Sequence, residues 1–158
     1  MKVFKQFLEY FDKQKWRYQL PEESQNIATF GMRTQEGTFH CILDVDLEDK
    51  KIIFLSIYPV NVPEKLRSSM AELILRLNYI LFFGGFEMDF DDGEIRFKTS
   101  LIYDDLELTE KSIDHIIKGN IKSIETHFEL LNSFITEKIE MERVIEVLAE
   151  MQKDAMQQ

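Results

Sequence analysis

The residues with the most capacity for chemistry are an acidic run, three histidines and a single cysteine, and their spacing decides what they can do. Glu87, Asp89, Asp91, Asp92 and Glu94 bring together the carboxylates of a calcium loop. Such a loop needs glycine at its sixth position and a carboxylate at its twelfth. Counted from Asp89, glycine comes fifth and the twelfth residue is Ser100, so the run reads as the outer face of a hairpin with an Asp-Gly turn. His40 stands alone, while His115 and His127 would lie about 18 Å apart along one helix, too far to share a metal. His40 and Cys41 pair a base with a nucleophile, but neighbours on a strand point to opposite faces. Gly84-Gly85 is not followed by the lysine and hydroxyl of a phosphate loop, and no Gly-x-Ser-x-Gly elbow exists. No catalytic, cofactor-binding or metal-ligating residue is therefore assigned. An enzymatic reading would rest on carboxylates gathered in a cleft without a motif.

The acidic run belongs to the stretch that organises the rest, residues 71–100. Leu73, Ile74, Leu77, Ile80 and Leu81 recur at the spacing of one helical stripe, and Gly84-Gly85 supplies the left-handed backbone that ends a helix. The period then changes to two. Phe86, Met88 and Phe90 alternate with Glu87 and Asp89, Asp91-Asp92-Gly93 turns the chain, and Ile95, Phe97, Thr99 and Leu101 alternate with Glu94, Arg96 and Lys98. Upstream, Val3, Phe4, Phe7, Leu8 and Phe11 form a helical stripe with Lys2, Lys5, Glu9 and Asp12 turned away. A basic, aromatic helix of this kind fits a membrane surface or the protein's own sheet, and the docked helix is much the commoner arrangement. Trp16, Tyr18 and Leu20 alternate briefly before Pro21.

Three strands follow in meander order, residues 27–35, 38–46 and 51–60, joined by Glu36-Gly37 and a polar reversal at 47–50. In the second, Phe39, Cys41, Leu43 and Val45 should face the core, and Thr38, His40, Ile42 and Asp44 should face away. In the third both parities are apolar, with Ile53, Leu55 and Ile57 on one side and Ile52, Phe54 and Tyr58 on the other. Such a strand is covered on both faces or exposes an adhesive one. Pro59 and Pro63 close it, with Pro63 suited to the first turn of the central helix. After the hairpin, a polar connection at 102–108 leads to Thr109 as a helix N-cap, with Leu108 and Ile113 placed as a hydrophobic staple. Ile113, Ile116, Ile117, Ile121, Ile124, Phe128, Leu131 and Ile135 trace one long stripe. Gly119-Asn120 interrupts it, a glycine costing roughly 1 kcal/mol against alanine, and marks the place for a kink. The last segment repeats Met141, Val144, Ile145, Leu148, Met151 and Ala155, a seam against another helix.

The length is that of one domain with one core, and thirteen phenylalanines among 44% hydrophobic residues make that core bulky. One cysteine allows no internal disulfide and fits a reducing cytosol. The net charge of −10 repels phosphate and disfavours nucleic acid as a partner. Residues 1–20 run against this trend, with Lys2, Lys5, Lys13, Lys15 and Arg17 opposed only by Glu9 and Asp12. No run reaches the roughly 18 apolar residues of a membrane span, and the first twenty residues lack the pattern of a signal peptide, so the expected location is the cytoplasm.

The segments GGFEMDFDDGEIRFKTSL, LTEKSIDHIIKGNI and HFELLNSFI resemble the YbjN family, bacterial proteins uncharacterised or assigned to sensory transduction. The resemblance covers roughly residues 60–136, and the N-terminal half matches in pattern alone. It implies a fold similar to the type III secretion chaperones, an α-β-β-β-α-β-β-α arrangement of helices on an antiparallel sheet, which is also the element order read above. The family often has a glycine-containing break after the stretch matching 132–135, whereas Thr136-Glu137-Lys138 runs on without glycine or proline. The expected architecture is α+β, an antiparallel sheet of about five strands with helices packed on it. Residues 1–136 make the domain, and residues 137–158 a C-terminal helix and tail.

These readings favour a non-enzymatic protein-interaction or regulatory module that binds a partner protein as a chaperone does. Ile42, Ile52, Phe54 and Tyr58 are the partner-binding candidates, on the sheet face away from the main helices unless the C-terminal helix covers it. The resemblance implies a second protein chain as partner and a homodimer formed through helices. A small-ligand sensor with a pocket under the aromatic corner 79–86 is the first alternative. An enzyme without a recognisable motif is the second. No cofactor is expected.

Overall fold

The computed structural model describes residues 2–104 and 108–156. Helix α1, Lys2–Lys13, buries Phe4, Phe7, Tyr10 and Phe11, so the N-terminal stripe docks on the protein's own core. Strands β1 (Ile27–Arg33), β2 (Thr38–Asp46) and β3 (Lys51–Ile57) follow as a meander. A single 3-10 turn, Glu64–Leu66, starts at Pro63 and runs into α2, Arg67–Ile80. The hairpin β4 (Gly85–Met88) and β5 (Ile95–Ile102) comes next, then α3 (Glu110–Thr126), α4 (Phe128–Ile135) and α5 (Met141–Met156). The five strands form one antiparallel sheet in the order β1-β2-β3-β5-β4, the hairpin placing β5 beside β3.

One face of that sheet carries the core. Residues paired across an antiparallel ladder share a face, and Phe30, Cys41, Ser56, Phe97 and Phe86 form one such row, buried along its whole length. Ala28, Leu43, Phe54 and Thr99 form the next. Helix α3 lies over β3 and β5, α2 flanks β4, and α1 leans on α3. The neighbouring parity holds Ile42, Ile53, Leu55 and Ile57, half-buried only by their own sheet neighbours, and no described element lies on that side.

Helices α2, α3 and α4 show where local chemistry sets their bounds. Thr109 caps α3 by accepting from the Ser112 amide at 3.1 Å, with Leu108 and Ile113 buried beside it as the staple requires. Residues 105–107 of the preceding connection lie outside the described residues. The long stripe is two helices, not one kinked at glycine. It breaks at His127, while Gly119 and Asn120 continue the helix. Asn120 is fully buried and donates from Nδ2 to the Phe54 and Phe97 carbonyls at 3.0 and 3.1 Å, so a polar residue inside an apolar stripe pins α3 to two strands. Helix α2 also stops differently from its sequence signal. It ends at Ile80, Leu81 being already extended, and Gly84 serves the entry into β4.

Candidate interaction surface

Of the four partner-binding candidates, the structure places only Ile42 on the uncovered face. Ile52, Phe54 and Tyr58 are at most 1% exposed and face the helices. Tyr58 stacks on Phe128 with ring centroids 5.0 Å apart and donates its hydroxyl to the Phe128 carbonyl at 3.2 Å. Phe54 lies 6.0 Å from the Phe30 ring. The expected outward placement of these three is therefore corrected, and the cause is register. The reversal at 47–50 pairs Asp46 with Lys51 and Leu43 with Phe54, so odd positions of β2 face the same way as even positions of β3. With Phe39, Cys41, Leu43 and Val45 inward, Ile52, Phe54 and Tyr58 must be inward too.

The larger exposed apolar surface is on the helices. Leu75 is 72% exposed and Tyr79 83% exposed, one turn apart on α2, and Phe82 and Phe83 follow in the loop beyond it. Helix α5 lies beside α2, and the groove between them, of about 920 Å³, is lined by Leu75, Tyr79, Ile80, Ile145, Leu148 and Ala149. Glu72 and Arg76 form an ion pair at 2.7 Å on its rim. The sequence did carry the signal, since Leu75 and Tyr79 are spaced i, i+4 on α2 and lie off its main apolar stripe. The deeper stripe of Met70, Leu73, Ile74 and Leu77, all buried, hides it.

Both sheet edges are occupied from within. The Asn78 carboxamide accepts from the Phe86 amide at 2.8 Å and donates to the Phe86 carbonyl at 2.9 Å, closing the β4 edge as a neighbouring strand would. Gln19 exchanges two backbone bonds with Thr29 on the β1 edge, all that remains of the alternation at Trp16, Tyr18 and Leu20. Bare edges invite chance pairing with other chains, and these two are guarded against it.

The residues with chemical potential serve the fold. Asp89 Oδ1 accepts from the Asp91 amide and Asp92 Oδ1 from the Glu94 amide, both at 2.8 Å, while Arg67 donates to the Phe90 and Asp91 carbonyls, fixing the hairpin turn. Glu87 joins Arg96 at 2.9 Å and also pairs with Lys98 across the strands. Burial pushes the Cys41 thiol up to about 11, so it stays protonated. His127 contacts Ser123 O through Nδ1 at 2.7 Å and meets the Phe86 ring edge-on, and burial holds its imidazole below the ordinary value. Among the described residues no three His, Cys, Asp or Glu side chains gather where they could hold a metal, and no helix is long and apolar enough to cross a membrane.

The family whose sequence model matches the chain is "YbjN: Putative bacterial sensory transduction regulator", over residues 5–133. No curated protein matches the chain. Among solved structures, the fold is similar to YbjN from E. coli, 12% identical, covering 85% of this chain and 92% of that one with a TM-score of 0.62. It is also similar to the ExsC–ExsE complex, at 14% identity, 82% and 93% coverage and a TM-score of 0.54. The HopA1–SchA chaperone–effector complex matches at 15% identity, 78% and 92% coverage and a TM-score of 0.48.

Proposed function

The chain belongs to the YbjN family, and we propose that it is a non-enzymatic, cytoplasmic protein-binding module that regulates or chaperones a partner polypeptide. The observation that carries this reading is the α2–α5 groove, where Leu75 and Tyr79 stand in solvent beside Ile145. A contiguous apolar patch of this kind is costly to leave wet, and aromatic anchors are the side chains that most often dominate a contact between proteins. A slot between two helices fits the apolar face of a third, so the occupant we assign is an amphipathic helix of the partner. A second copy of this chain is one candidate supplier of that helix. Ile42 keeps its proposed role in a flatter contact on the bare sheet face, with Ile53, Leu55 and Ile57 beside it.

The experiment is a double substitution, Leu75→Glu with Tyr79→Glu. Both side chains are exposed, so circular dichroism and the thermal midpoint should stay within a few degrees of the parent. Partner capture, or self-association in equilibrium sedimentation, should fall at least about tenfold. Unchanged capture with an intact fold removes the groove as the seat. The ligand-sensor alternative needs an enclosed pocket under the corner 79–86. The space there, about 450 Å³, is an open hollow that includes Asn78, Glu87, Lys98 and Ser100 in its lining. A thermal-shift screen of metabolites tests it directly.

A further inference from the structure

Helix α5 is attached unlike any other helix of the molecule. Helix α1 is tied by Tyr10, which donates to Asp114 at 2.6 Å, and by the Lys13–Glu110 ion pair. Helix α2 is tied by Arg67 and Asn78, α3 by Asn120, and α4 by the Tyr58 hydroxyl. For α5, among the described residues, every side-chain hydrogen bond and ion pair stays within the helix itself, Arg143 with Glu146 at 2.8 Å. Val144 and Leu148, with Met141 and Met151 half-buried, hold it to α2 and α4 by apolar contact alone. Contact of that kind has no directional partner to lose, so another helix of the same apolar spacing can replace it.

Helix α4 is also closed off before α5 begins. The amides of Thr136, Glu137 and Lys138 return to the Asn132, Phe134 and Ser133 carbonyls, and Glu137 takes a left-handed conformation at φ 55, so α4 is capped by its own chain. The region matched by the family ends at residue 133. Helix α5 is thus an amphipathic helix that follows a capped α4, lies beyond the matched region and reaches the core through Val144 and Leu148.

We propose that α5 is a detachable occupant of the α2–α4 surface, displaced by the amphipathic helix of a partner protein whose apolar residues repeat the spacing of Met141, Val144, Leu148 and Met151. This rests on the protein-binding reading and adds its regulation, because the chain carries its own competitor for the site. Docked, α5 narrows the surface to the groove beside Leu75 and Tyr79. Released, it opens the whole of it.

The test uses the full-length chain and a fluorescent synthetic peptide of residues 139–158, read by hydrogen exchange and fluorescence anisotropy. In the parent protein the amides of 141–156 should exchange well before those of α3, and faster still when peptide is added in excess. Leu148→Asp should free the site, raising peptide affinity about tenfold while α1–α4 keep their protection. Exchange of α5 in step with α3, loss of protection throughout the Leu148→Asp chain, or no peptide binding to it would each overturn displacement. The Leu75 and Tyr79 variants report separately on the groove, so partner binding lost there while α5 stays locked would retain the binding role and remove only its regulation.

Discussion

Gly84 takes φ 70, and a Cβ built on it would stand 2.7 Å from the Lys98 carbonyl and from the Phe97 ring. Conformation and space therefore exclude a side chain together. Gly84→Ala should cost about 1–3 kcal/mol in a urea melt, whereas Gly85→Ala, whose Cβ would meet only Asn78 at 3.5 Å, should change the midpoint little. His127 gives the pH signature. Burial lowers its imidazole from the ordinary value of 6.5, so the folded state binds its proton less readily than the unfolded chain. The stability this contributes is complete above about pH 6.5 and is lost as pH falls through the depressed folded value. Urea midpoints between about pH 5 and 8 should decline on the acid side in the parent and more shallowly in His127→Gln. Equal slopes would show that His127 is not the group that titrates. Asn120 is the residue whose sequence context misled most. Its neighbour Gly119 reads as a weak point, yet a Cβ there would press the Phe83 ring at 3.1 Å, and the asparagine amide joins two strands across the core.

For the elements, the parity of β3 has the clearest consequence. Phe54 and Tyr58 lie in the core and Ile53 and Leu55 on the bare face. Serine at both Phe54 and Tyr58 should abolish cooperative unfolding, since each truncation removes a filled aromatic site worth about 3–5 kcal/mol. Serine at both Ile53 and Leu55 should leave a folded chain with a modest loss, and circular dichroism with thermal melts separates the two outcomes. The reverse ranking would mean that the sheet presents its other face to the helices. The break between α3 and α4 follows the same logic of position over propensity. Glycine inside α3 is tolerated because Phe83 packs into the space it leaves, and the chain bends at His127, where α4 begins to cover Tyr58.

Across the whole molecule, a five-stranded sheet carries its helices on one face and leaves the other bare, with the helical layer itself split by an apolar groove. The amino-acid sequence by itself determined the kind and order of the elements apart from the break between α3 and α4, together with the buried stripe of α2, the inward residues of β2, the Thr109 cap and its staple, and membership of the family. Each of these depends on spacing within a short stretch, where period, capping chemistry and turn residues act on neighbours in the chain. It could not settle which apolar face of β3 turns inward by composition, since both are apolar, although the four-residue reversal between Asp46 and Lys51 held the answer. Nor could it show that α5 lies beside α2 instead of across the bare sheet. The burial of Leu73 and Leu77 was legible in the stripe of α2, whereas only the tertiary structure decided that Leu75 and Tyr79, off that stripe, form one wall of an apolar groove, because the facing residues Ile145 and Leu148 come from a helix far along the chain.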